Sequence, residues 1–480
     1  MFIAMLEAGN GGNVKVDERR RQMTIESVRT DSTAMRELRA TMQGRVVSRG
    51  DDDYARTRQI FNAAVENQPA LIAVCETSAD VQAAVRSARQ HGLPLSVRGG
   101  GHDWAGRALC ADGLVIDLSR MRQVIVDPHS RVATVTGGAK AKDVAAEAGA
   151  HGLVAALGNC GTVGMAGLTL GGGYGPLNGL YGLAADNLLG AELVLADGRC
   201  VTTGPDEEPE LFWAMRGGGG NFGVVTSLRV QLHETRHMLA GSIVYPWTEA
   251  EPVLRRYATF AAIMPDELGV LVNMASGRDG QPAITLLPLW NGDKLQGERA
   301  MDHLQAFGKP QSAQFGPMTY AEMLAPFDAS LAEADGYHRE IRTRSLPTLT
   351  PGAVDAIITA VGRKTSPYSM VNWHHLHGAA TSIPAEAIAF GLRQEHFMVE
   401  IIADWEPDGS NGAAHRQWAQ DLWESLAPFA LPGGYAQFLT PRDREQVENA
   451  YGGNGARLRS SKRRFDPDGV FASAIPLPEG

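Results

Sequence analysis

Residues 93–107 read LPLSVRGGGHDWAGR, a short apolar strand that delivers the chain into three consecutive glycines followed by His102 and Trp104. With no side chains at Gly99, Gly100 and Gly101, the backbone N–H groups of that turn are free to close around a diphosphate, and Arg98 stands beside them as a source of positive charge. Upstream, LIAVCE (71–76) reads as a buried strand. Ser78 is then placed to cap a helix whose Val81, Ala84, Val85 and Ala88 recur at i, i+3, i+4 and i+7, and Gly92 is placed to end it. The order is strand, helix, strand, glycine loop, which presents bare backbone to a ligand. Downstream, GLVIDLS (113–119), QVIVD (123–127) and RVATVTG (131–137) read as strands and AKDVAAEAG (141–149) as a helix. In AELVLADGRCVTT (191–203), Asp197 and Gly198 form a turn dipeptide between two strand-like runs.

A second glycine-rich stretch, GNCGTVGMAGLTLGGGYG (158–175), sets Cys160 among Gly158, Gly161, Gly164 and Gly167. A lone cysteine is more often a small buried hydrophobe than a nucleophile, but a thiol flanked by unshielded amides can be stabilised as thiolate and reached by a flat ligand. Of the other cysteines, Cys75 and Cys200 read as structural and Cys110 carries no functional reading. Gly218, Gly220 and Gly223 spell G-x-G-x-x-G, but VVTSLRVQL (224–232) follows as a strand where a dinucleotide fingerprint needs a helix. The chain also lacks G-x-x-x-x-G-K-[ST], H-E-x-x-H and G-x-S-x-G, which argues against NTPases, zinc proteases and α/β-hydrolases.

Composition bounds the rest. The chain has 480 residues, 55 of them glycine, with 44% apolar and 20% charged residues and a formal charge of −10. Two or three soluble globular domains are expected. The negative balance, without a basic and aromatic cluster, speaks against nucleic acid as a partner. No apolar run approaches the roughly 18 residues of a membrane span and no leader pattern is present, so a cytoplasmic protein is expected. Four cysteines without a CxxC pair suggest neither a disulfide framework nor a zinc site. WHHLH (373–377) would put His375 and His377 on one strand face, as metal ligands or substrate contacts, but no third ligand is evident and no metal is expected.

Between about 236 and 430 a second region of strands and helices carries most of the aromatics. In HFMVEIIADW (396–405), a period of two puts His396, Met398, Glu400 and Ile402 on one face and Phe397, Val399 and Ile401 on the other. A carboxylate on such a mostly apolar strand would have a raised pKa if buried, as suits a base.

Taken in order, RGGGHDWAG, GxCxxVGxxGLTLGGGxG, DNLLGAELVLADG and LFWAMRGGGGNFGVVTS resemble the flavin-binding region of the vanillyl-alcohol oxidase superfamily, specifically the berberine bridge enzyme-like oxidases. The likeness spans about residues 65–230 and resumes in YGGNGARLRSSKRRFDPDGVF (451–471). It implies an α+β fold: a two-part FAD-binding domain of the PCMH type with a substrate domain built on an antiparallel sheet. The boundaries implied are a lead-in over 1–45, FAD domain 46–235, substrate domain 236–435 and a returning segment 436–480. It further implies FAD linked twice, through His102 to the 8α-methyl and Cys160 to C6. The cofactor is expected to be lined by Arg98, Gly99, Gly100, Gly101, Gly161, Thr162, Val163, Gly164, Gly167, Leu170, Val225, Tyr451 and Asn454.

Val163 matches the family position where valine accompanies fast reaction with oxygen, so the resemblance favours an oxidase. Such an enzyme passes hydride from an alcohol, sugar or natural-product hydroxyl carbon to flavin N5 and reduces O2 to H2O2. The alternative is a dehydrogenase or oxidative cyclase using another acceptor. Glu400 aligns with an active-site Glu or Gln of relatives. Tyr435, in GGYAQFL (433–439), matches the first tyrosine of a family segment whose second aromatic is here Phe438, and the catalytic candidates are therefore Glu400 and Tyr435. Two departures stand out: Trp104 replaces a common serine, and Gly469 with FASAIP replaces asparagines of the family's tail, which puts cofactor contacts from the last fifteen residues in doubt.

Overall fold

The computed structural model describes residues 32–277, 280–407 and 411–479. The strand–helix–strand reading around the glycine loop becomes a four-stranded sheet. Leu71–Val74, Leu114–Asp117 and Leu95–Arg98 run parallel, and Arg45–Ser48 adds antiparallel to the outer edge of Leu71–Val74. Helix Ser78–His91 covers it, burying Val81, Ala84, Val85 and Ala88, the positions its period assigns to the core. The cap is Thr77 and not Ser78: the Thr77 hydroxyl accepts from the Asp80 amide, and the Asp80 carboxylate accepts from the Thr77 amide in return. Ser78 donates instead to Glu192 at 3.0 Å. Gly92 ends the helix at φ +63°, a left-handed geometry that favours glycine.

A second sheet of five antiparallel strands runs in the order Val124–Asp127, Val132–Thr136, Val224–Gln231, Leu188–Val194, Cys200–Thr203. Its last two strands are the hairpin around Asp197 and Gly198, the latter at φ +80°. The G-x-G-x-x-G triplet opens into strand Val224–Gln231, as its sequence surroundings require. Cys75 is buried next to the first sheet, whereas Cys200, read as structural, is exposed at the start of its strand.

The second half of the chain builds a seven-stranded antiparallel sheet, ordered Ser312–Pro317, His237–Pro246, Pro282–Gly292, Leu268–Ser276, Met370–Leu376, His396–Trp405, His338–Leu346. Helices Ala250–Ala261, Pro351–Val361 and Gly412–Leu426 lie on one face, where Val272, Met274, Val371, Trp373, Val399 and Ile401 form a continuous core. Each such side chain contributes about 1.5–3 kcal/mol by leaving water. The other face turns toward the first half: Asn159 reaches His374, Tyr174 reaches His396, and Asn178 donates to the His375 carbonyl. After this sheet the chain returns, and helix Gly455–Phe465 packs on helix Pro209–Gly218 with Arg457 on Glu210 at 2.7 Å. Among the described residues no helix is long and apolar enough to cross a membrane, and no group of three or more His, Cys, Asp or Glu could hold a metal ion.

Candidate functional site

The two glycine-rich loops meet. A Cβ added to Gly100 would stand 2.2 Å from the Gly164 nitrogen, and one added to Gly164 would stand 2.4 Å from the Gly100 nitrogen, so both positions need glycine for loop to pack on loop. That contact brings three side chains into line. His102 Nε2 lies 2.7 Å from the Thr162 hydroxyl, and the same hydroxyl lies 3.1 Å from Cys160 Sγ. Phe61 stacks on the imidazole with centroids 4.4 Å apart. Burial, reinforced by Lys140 and Arg339, holds the His102 pKa down to about 3, so the ring is neutral and keeps a lone pair at ordinary pH.

A thiolate at Cys160 is not what this turn stabilises. The Gly161 and Thr162 amides donate at 2.9 and 3.1 Å to one carboxylate oxygen of Asp328, which arrives on helix Tyr320–Glu333. The thiol lies 4.0 Å from that same oxygen. Burial pushes the thiol pKa up, the Thr162 contacts oppose that, and Asp328 adds to it, so Cys160 stays protonated. No sequence signal announced Asp328.

Two cavities have Gly99 in their walls. One, of about 540 Å³, is bounded by Gly99, Gly100, Gly101 and His102 and by the cations Arg45, Arg56, Arg98, Arg120 and Lys140. The other, of about 150 Å³, is walled by Gly167, Leu170, Gly220, Val225 and Ser473 among others. At Gly167 and Gly220 a Cβ would meet nothing within 4 Å, so these glycines leave open a channel that any side chain would fill. A chamber lined by cations and a slot of bare backbone, with Gly99 in the walls of both, suit a long, flat molecule with a diphosphate at its centre, and the residues present fit FAD.

Three expectations change here. Arg98 lines the larger cavity, but its guanidinium is held by Asp117 at 2.6 Å, its register partner on the neighbouring parallel strand, so its charge is already balanced. Tyr451 donates to the Pro476 carbonyl at 2.8 Å, and Asn454 donates to the Ala385 and Ile388 carbonyls at 2.7 and 3.0 Å. Both are buried ties between chain segments, and neither is in the walls of these two cavities. The tail, by contrast, comes in: Phe471, Ser473, Ala474 and Ile475 wall the smaller cavity although the expected asparagines are missing.

Above the Cys160 loop, the seven-stranded sheet presents Glu400, 8% exposed. His374 lies 3.5 Å from it through Nε2, and His374 Nδ1 accepts from the Asn159 amide at 3.3 Å, which leaves the ring proton on the side of Glu400. His396 Nδ1 can only donate to the Gln394 carbonyl, at 2.6 Å, so its Nε2 accepts from the Tyr174 hydroxyl at 2.9 Å. Burial lowers the His396 pKa to about 4 and raises that of Tyr174. Tyr435 accepts from the Gly173 amide at 3.1 Å and packs on Tyr174 with centroids 4.8 Å apart; burial raises its pKa, so it stands as a neutral phenol. The histidines singled out from WHHLH lie elsewhere. His375 and His377 stack on each other at 4.7 Å, with His375 also on Phe397 and paired with Glu395, and burial lowers both pKa values. It is their neighbour His374, together with Tyr174 and Asn159, that the sequence reading missed, whereas His396 stands on the Glu400 face as the period of two puts it.

Known proteins resemble this chain in sequence and fold. The FAD binding domain family matches residues 69–204, and the berberine and berberine-like family matches 434–478. (R)-6-hydroxynicotine oxidase of Paenarthrobacter nicotinovorans is 37% identical over 455 residues, covering 92% of this chain and 98% of that protein. The crystal structure of 6-hydroxy-D-nicotine oxidase from Arthrobacter nicotinovorans superposes with a TM-score of 0.81 at 30% identity, covering 92% of this chain and 99% of the other. A berberine bridge enzyme variant superposes at 0.82 and 21% identity, over 93% and 99% of the two chains, a likeness of fold. With its glycine loops, its open backbone channel and a relative matched nearly end to end, the chain belongs to the berberine bridge enzyme-like family of FAD-linked oxidoreductases, in the vanillyl-alcohol oxidase superfamily.

Proposed function

We propose that the protein is an oxidase carrying FAD on two covalent links, through His102 at the 8α-methyl and Cys160 at C6, and that it oxidises the hydroxyl-bearing carbon of an alcohol, sugar or natural product. The observation that carries this reading is the contact chain His102–Thr162–Cys160, which unites two nucleophiles from separate loops through one hydroxyl. FAD, when bound, accepts hydride at N5 and gives the electrons to O2 as hydrogen peroxide. The chain supplies the rest. Gly99, Gly100 and Gly101 offer backbone amides to the diphosphate beside Arg120 and Lys140, while Gly167, Leu170, Gly220 and Val225 leave the adenosine end its slot.

Glu400 takes the substrate hydroxyl proton, and the His374 N–H fixes the carboxylate for that transfer. Tyr435, a neutral phenol, donates a hydrogen bond and does not act as base. Tyr174 and His396 brace the roof as a fixed donor–acceptor pair. Val163, in the turn between Cys160 and Gly164, is the residue we associate with access of oxygen.

The test is anaerobic mixing of the purified yellow protein with a panel of alcohols and sugars, followed by admission of air. Bleaching of the flavin by a substrate, then its return with an equivalent of hydrogen peroxide, is the expected result. Bleaching that air does not reverse would overturn the oxidase assignment.

A further inference from the structure

The register of the seven-stranded sheet aligns four polar residues that lie far apart in sequence. Thr343 pairs with Glu400, Glu400 with Asn372, and Asn372 with Asn273, so the four side chains stand side by side on one face across four neighbouring strands. At strand spacings near 4.8 Å the row is about 15 Å long. Its polar atoms are idle. Thr343 Oγ1, Asn372 Oδ1 and Asn273 Oδ1 are buried with no hydrogen-bond partner, and Glu400 has His374 Nε2 at 3.5 Å and the Tyr435 phenol within electrostatic reach. Thr343, Asn372 and Glu400 are 3, 7 and 8% exposed. Buried polar groups are nearly always paired, so three orphans in one row point to a missing partner.

The row passes through Glu400, and its face carries His374 and His396, whose partners Asn159 and Tyr174 come from the glycine-rich half. It therefore faces the candidate active site. Its chemistry selects the ligand. Amides and a hydroxyl both give and accept hydrogen bonds, which complements groups that do the same. The only charge in the row is the Glu400 carboxylate. The cation Arg339, on the same face, lies four residue pairs along the strands and is held by Asp404 at 3.3 Å. A carboxylate or phosphate ligand finds no counter-ion there, and an amine would engage Glu400 and leave the other three groups idle.

We propose that Thr343, Asn372 and Asn273, in line with Glu400, form the substrate-recognition row of this enzyme, and that the row takes a neutral polyhydroxylated molecule of carbohydrate type. The inference rests on the functional reading above and narrows its substrate class. The three side chains bind and orient the ligand's hydroxyls, and the oxidised hydroxyl is the one beside Glu400.

The experiment uses the flavin-loaded protein and reads anaerobic bleaching, which needs no oxygen, with two panels: neutral mono- and disaccharides (glucose, cellobiose, maltose, N-acetylglucosamine) and amines (the secondary amine N-methylbenzylamine and the tertiary amine nicotine). Reduction by at least one sugar is expected. For that sugar, Asn372→Leu and Asn273→Leu should raise the concentration for half-maximal rate at least tenfold and lower the limiting rate by a smaller factor. The melting temperature of Asn372→Leu should be unchanged or higher, because an orphaned polar group is removed; a structural role for Asn372 predicts a fall. Reduction by amines alone or by neither panel, or an unchanged half-saturation in both variants, overturns the row. Protein that holds no flavin overturns the underlying reading instead, and sugar reduction that air fails to reverse removes the oxidase assignment while leaving the row intact.

Discussion

Asn372 and Trp373 are neighbours on one strand, and they belong to different parts of the protein's chemistry. Trp373 is fully buried among Val272, Val399 and Tyr257, under the helices of the substrate half. Asn372 points the other way, with its buried side-chain oxygen unpaired. The same alternation divides Val399 and Ile401 from Glu400, their neighbour in between. One face of the sheet is packed with apolar side chains that hold the fold, with only the Trp373 indole N–H and the Tyr257 hydroxyl unpaired among these core residues, and the other carries a row of unpaired polar side chains for a ligand to complete, at some cost to the free protein.

The contrast is open to direct attack. Trp373→Ala removes a large side chain from the packed face and is expected to cost about 3–5 kcal/mol of unfolding free energy, read from urea denaturation. An effect below about 1 kcal/mol there would erase the distinction between the faces. On the facing side, Glu400→Gln is expected to leave melting and flavin content in place and to slow flavin reduction at saturating substrate by about 10²–10⁴, the usual contribution of a general base. A loss under tenfold would move the base elsewhere.

The pH dependence sharpens the comparison further. His396 lies on the facing side, neutral, with its pKa lowered to about 4 from an ordinary 6.5. The unfolded chain therefore binds the extra proton first, so the stability present above pH 6.5 is lost as pH falls toward 4, by on the order of 3 kcal/mol. His396→Gln should flatten that part of the melting profile between pH 7.5 and 4.5, and a profile as steep as the wild type's would contradict the assignment. The smallest expected effect is at Thr162. Thr162→Val keeps the shape but removes the hydroxyl between His102 and Cys160, and at about 1 kcal/mol for one hydrogen bond it should slow flavin attachment roughly fivefold, followed by intact mass after adding FAD to apoprotein.

What could be read from the sequence follows the range of the interactions involved. The glycine loops, the helix ended by Gly92 and the alternation of 396–405 rest on neighbours a few residues apart, and the corresponding elements stand where the pattern puts them. Reading Arg98 as a free charge overlooked Asp117, although two strands ending in Arg and Asp could have suggested the pairing that parallel register makes. His374 was missed for a different reason. Alternation separates His374 from His375 and His377, but which side looks at the ligand depends on where helices 351–361 and 412–426 land. Asp328 meets the Cys160 turn across 168 residues, and the row from Asn273 to Thr343 exists only once four strands have paired. Neither leaves a local pattern to find.

The central claim is that two loops bring His102 and Cys160 to one flavin, and mapping the attached cofactor tests it most directly. The purified protein is precipitated with acid, digested, and its flavin-bearing peptides are identified by mass spectrometry. Yellow pellet with flavin bridging the peptides that contain His102 and Cys160 is the predicted result. Flavin released entirely into the supernatant, or found on peptides containing neither residue, would contradict it.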